Sequence, residues 1–132
     1  MMKNVLAVAA GLVVWLLVTA AAGFVLRVSW PAYVQVADAM AFTLPMMIAR
    51  LAIGAGATVA MGAVSARVAR GAIAALMPGV LLLLFFVPVH VSIWEKFPIW
   101  YHLTFLLTLV PLTYIGNRAA RRSAEALQSG GA

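Results

Sequence analysis

The chain has 132 residues, of which 66% are hydrophobic and only 9% charged, with a formal net charge of +6 and no cysteine. A soluble domain carries charge on about a quarter of its residues, so this composition excludes an ordinary soluble fold. The missing thiols exclude disulfides, thiolate metal sites, thiol catalysis and S-palmitoylation.

Four apolar stretches, about residues 4–26, 43–66, 72–92 and 99–117, approach or exceed the roughly 20 residues that a helix needs to cross a bilayer core. They predict an all-α integral membrane four-helix bundle with short loops, one domain over 1–117, followed by a basic, unstructured tail over 118–132. The first stretch starts after Lys3 and contains the small-residue run 19–23, which resembles a signal-peptide cleavage site. Its apolar run of about 22 residues exceeds the 7–15 of a signal core, so a retained helix is expected.

Residues 27–42 carry Trp30 and Tyr33 but few charges, which predicts a short helix lying on the membrane surface from Pro31. The second span opens with Thr43 as N-cap and Pro45 in its first turn. Within it Gly54, Thr58 and Gly62 recur every four residues, a row of small side chains that lets another helix approach closely. After a tight turn over 67–71 comes the third span. Pro78 and Pro88 interrupt it, and much of its apolar run 80–87, Leu83 included, is expected to face lipid. A hairpin over 94–98 leads to the fourth span, with Thr104, Thr108, Pro111 and Thr113.

The basic residues set the orientation. Lys3, Arg67, Arg70, Arg118, Arg121 and Arg122 fall beyond the ends that share one side, and only Arg27 and Lys96 fall on the other. Basic residues in short loops stay cytoplasmic, so both termini are expected inside. The basic excess is then a topology signal and an attraction for anionic lipid, and nucleic acid is not an expected partner. Trp30, Tyr33, Trp94, Trp100 and Tyr101 cluster at the outer boundary, as an interfacial aromatic belt would. Arg outnumbers Lys seven to two among abundant Ala and Val. That is the flavour of a GC-rich bacterial genome, hence the expectation of a bacterial inner membrane.

Candidate chemistry is sparse. Arg50 lies inside the second span, roughly 10 Å below its outer edge. It is expected to snorkel, to pair with Asp38, Glu95 or free carbonyls, or to bind an anion. His90 and His102 flank the outer hairpin at similar depth. Two histidines on adjacent helices suit a metal, a haem or a proton relay, although two ligands fall short of a zinc site. No GxSxG, HExxH or phosphate-binding glycine loop occurs, so no catalytic residue, metal or cofactor is assigned. Three functions follow. The leading one is a non-enzymatic accessory or interaction subunit, packing through Gly54, Thr58 and Gly62 against a second copy or another membrane protein. The alternatives are a homo-oligomeric transporter or channel with Arg50 lining its path, and a metal- or haem-binding subunit built on His90 and His102.

Overall fold

A computed structural model describes residues 1–131. It contains helices α1 (Met2–Ser29), α2 (Pro31–Ala37), α3 (Leu44–Val68), α4 (Ala72–Ser92) and α5 (Ile99–Gly130), with one 3₁₀ turn at Trp94–Lys96. There is no strand among the described residues. Helices α1, α3, α4 and α5 are long and apolar enough to cross a membrane, and the chain is a multi-pass membrane protein. Four crossings return both termini to the end that holds the α3–α4 turn, here the arginine end. The opposite, hairpin end carries α2 and the 3₁₀ turn. Pro31 occupies the first turn of α2, where its missing N–H costs nothing.

In lipid the helices gain little from the hydrophobic effect, so close packing and internal hydrogen bonds must hold them. On α1, Ala7, Gly11 and Trp15 lie four apart and form its buried face. Each meets α3. The Ser65 hydroxyl donates to the Ala7 carbonyl at 3.0 Å, Gly11 faces Ser65 and Met61, and the Trp15 indole N–H donates to Thr58 Oγ1 at 3.2 Å. Thr58 in turn donates to the Gly54 carbonyl at 2.7 Å. A core of Trp15, Ala57, Met61, Leu82 and Leu109 fills the centre.

The α3–α5 crossing is the tightest contact. A side chain at Gly62 would strike the Thr113 backbone, and one at Gly116 would strike the backbone of Val59 and Ala63. The two glycines therefore let the helix backbones touch. Gly54, Thr58 and Gly62 are all buried under α1 and α5 of the same chain. The small-residue face expected to receive a partner is already occupied.

Two other expectations are corrected. The tail is not unstructured: α5 continues to Gly130 without a break. Residues 118–129 are mostly Ala, Arg, Glu, Leu and Gln, strong helix formers with no Gly or Pro. Charge ends the membrane-compatible stretch there but not the helix. In the third span, Leu82 is buried and Leu83 packs on the core, while Leu84 and Phe85 are exposed. An all-apolar sequence hid a helix with two unlike faces.

Candidate functional site

Arg50 sits on α3 two turns below its hairpin-end start. The guanidinium Nη1 donates to the Tyr33 hydroxyl of α2 at 2.6 Å, and Nε donates to the Tyr101 hydroxyl of α5 at 3.2 Å. Its Cζ lies 4.7 Å from the centre of the Phe42 ring, a cation–π contact. Phe42 stacks on Tyr33 and on Phe97, and Phe97 stacks on Tyr101 at 4.5 Å between centroids. Four rings from the hairpin end thus close around one cation.

No carboxylate is among these partners. Asp38 and Glu95 are exposed, and neither hydrogen-bonds to Arg50. The expected ion pair is replaced by two phenols. Of the five guanidinium N–H groups, two are used, and three have no protein partner among the described residues. Each phenol oxygen accepts from the arginine and keeps its own O–H to give. The cluster therefore offers donors and a positive charge, with nothing negative to meet them.

The two histidines, from α4 and α5, are brought into direct contact. His90 Nδ1 and His102 Nδ1 are 2.8 Å apart, and His102 Nε2 lies 3.1 Å from the Trp94 carbonyl oxygen. Rings fix both imidazoles. His102 stacks on Trp94 at 4.6 Å, and His90 stacks on Phe105 at 4.8 Å between centroids. Three of the four ring nitrogens are consumed in this chain of contacts. Only His90 Nε2 remains to hold a metal, and no group of three or more His, Cys, Asp or Glu is assembled among the described residues.

Arg50 and His90 share a half-open cavity of about 280 Å³. Its floor is the Trp15–Phe86 contact between α1 and α4, with ring centres 5.5 Å apart. Above that floor α1 and α4 line opposite walls through Thr19, Gly23 and Leu26 on one side and Val89, His90 and Ile93 on the other. Arg50 and Tyr101 complete the lining. Gly54, one turn below Arg50, contributes space: a side chain there would press on Phe105 at 3.2 Å. The walls are apolar and aromatic except for the guanidinium, the two phenols, the imidazole and the Thr19 hydroxyl, which donates to the Trp15 carbonyl at 2.8 Å.

Residue patterns alone missed Tyr33 and Tyr101, which were placed in the interfacial belt with three tryptophans. Trp94 and Trp100 are indeed 44% and 41% exposed, but Tyr33 and Tyr101 are only 4% and 5% exposed. The signal that could have found them is the arginine itself. A charge inside a span, in a chain whose acids all lie in loops or tail, must find neutral oxygens, and tyrosines near the same depth carry them. The chain matches no family model, no curated protein and no solved structure.

Proposed function

We propose that the protein is a non-enzymatic ligand-binding membrane protein whose cavity takes an anionic amphiphile, with the anionic group on Arg50 and the apolar part against Trp15, Phe86 and Phe105. One observation carries this reading. Arg50 is an intramembrane cation held only by neutral groups, and it faces a cavity that the chain leaves unfilled. An arginine at the bilayer centre costs about 2.5–3.5 kcal/mol on insertion scales. The smaller cost at the depth of Arg50 is offset in part by two phenols, and an anion would offset it further. The aromatic, nearly uncharged walls suit an apolar tail better than a hydrated metabolite.

The distribution of basic residues supports placing the arginine end in the cytoplasm, which puts the cavity in the outer leaflet of a bacterial inner membrane. A scaffold packing through Gly54, Thr58 and Gly62 loses its main support, because that face is buried within the chain. A transporter assembled from several copies would use the same cavity as its binding station.

The test uses purified protein in phosphatidylcholine nanodiscs with dodecyl sulfonate, whose charge is independent of pH, against dodecanol as the uncharged tail. The sulfonate is expected to raise the melting temperature and dodecanol to leave it unchanged. Ligand at 100 times its Kd stabilises by about 2.7 kcal/mol, a shift of several degrees. Arg50→Gln should remove the effect, and Arg50→Lys should restore only part, since an ammonium lacks the planar fork that meets two anionic oxygens together. Equal stabilisation of wild type and Arg50→Gln would overturn the reading.

A further inference from the structure

The contacts of the two histidines dictate where their protons are. The Trp94 carbonyl can only accept, so His102 Nε2, 3.1 Å away, carries a hydrogen. Neutral His102 then has a bare Nδ1. His90 Nδ1, 2.8 Å from it, must therefore carry the hydrogen of that contact. This leaves neutral His90 with a bare Nε2. Asn117 Oδ1, at the arginine end, is the one side-chain nitrogen or oxygen among the described residues that is sealed from solvent without a partner. His90 Nε2, equally unpartnered, accordingly keeps an open edge, and His90 is a wall of the cavity.

This arrangement has one place for an additional proton. A proton on His102 Nδ1 would reverse the contact and move the His90 hydrogen from Nδ1 to Nε2, which fills the same open nitrogen. A proton on His90 Nε2 leaves both existing hydrogen bonds intact. The charged or titratable groups facing His90 are Arg50 from α3, Tyr33 from α2, and Tyr101 and His102 from α5. The α1 wall contributes none, and Glu95 and Lys96 in the hairpin are exposed. With Arg50 cationic and no carboxylate beside it, an imidazolium in the empty cavity would face an uncompensated guanidinium. An anion seated between them removes that repulsion and accepts from both.

We infer that the cavity binds its anion together with one proton, taken up on His90 Nε2, so that the pair behaves as a bound acid. The inference rests on the Arg50 anion site and adds its ligand class: an acid whose charge is neutralised on entry. Linkage makes the coupling reciprocal. The anion draws the proton onto His90, and the proton strengthens the hold on the anion. Histidine can hold a hydrogen on either ring nitrogen, and on His90 the one left free is Nε2.

Binding of dodecyl sulfonate is measured in the same nanodiscs from pH 5.5 to 8, with proton uptake followed in weak buffer. Affinity is expected to rise as pH falls, by up to about tenfold per pH unit for one linked proton, with up to one proton taken up per anion. In His90→Asn the amide nitrogen stands near the place of Nδ1 and can donate to His102, but no nitrogen titrates. That variant should bind with the same affinity at pH 5.5 and 8, within a factor of two, and take up no proton. If it fails to fold, proton uptake by the wild type decides alone. Arg50-dependent binding that is independent of pH, with no proton uptake, overturns the proton proposal and leaves the anion site standing. Binding unaffected by Arg50→Gln, or none at any pH, removes the anion site and the proton proposal with it.

Discussion

The two halves of this bundle use the same helices in opposite ways. At the arginine end, α1, α3, α4 and α5 meet through Gly11, Gly62, Gly79 and Gly116, where any side chain would collide with a neighbour. At the hairpin end the contacts are made by rings, a guanidinium and two imidazoles, and a cavity of about 280 Å³ stays open. Small residues bring backbones together and leave no room for chemistry. Large aromatic residues hold helices apart, and polar groups can then be presented to the space between them. The closed half anchors the helices so that the open half can keep its shape.

Two glycines put this contrast at risk with one substitution. Gly62→Leu drives a side chain into the Thr113 backbone and should cost about 3 kcal/mol or more, seen as a large loss of melting temperature or of folded protein in detergent. A variant as stable as wild type would mean that the α3–α5 crossing is not what holds the bundle. Gly23→Leu is the counterpart in the open half. Gly23 lines the cavity, and nothing lies within 4 Å of a side chain begun there. Helix propensity alone favours the change by up to about 1 kcal/mol. The melting temperature should hold or rise while sulfonate binding disappears. Retained binding would show that the ligand does not occupy the space between α1 and α4.

Smaller effects sharpen the boundary between the halves. Thr58→Ala removes the acceptor of the Trp15 indole N–H, the polar contact directly under the cavity floor. Interhelical hydrogen bonds in membranes average about 0.6 kcal/mol, so a loss of that order is expected in unfolding measurements. A null result would make Trp15 a packing group only. Leu84→Ile should do nothing, because Leu84 is 66% exposed on the lipid side of α4.

Much of the fold was legible because membranes impose simple rules. Each long helix begins and ends within a few residues of its apolar stretch, apart from α5, and the short helix starts at Pro31 as the proline predicts. The row Gly54, Thr58, Gly62 was legible as a packing face, but its occupant was not. That depended on Gly116, a lone glycine with no periodicity of its own. Arg50, His90 and His102 stood out as rare polar residues inside apolar sequence. Their partners did not, since Tyr33, Phe42, Phe97 and Tyr101 are ordinary residues for a membrane boundary. Only the return of α2 and the hairpin over the bundle turns them inward, and no local pattern records that return.

The unbroken course of α5 gives the protein a built-in gauge of its surroundings. From Trp100, exposed at the hairpin end, to Arg118, the first exposed arginine of the helix, is about 27 Å at 1.5 Å per residue. A stiff helix carrying anchors at both ends fixes the bilayer thickness that suits it, slightly less than the usual 30 Å or so. In a thicker bilayer the helix cannot stretch, so the lipid must thin around it or the arginines must snorkel. Arg50 would then sink deeper into hydrocarbon while its ring of phenols moved with it. Lipid chain length thereby becomes a setting on how strongly the bound charge is felt.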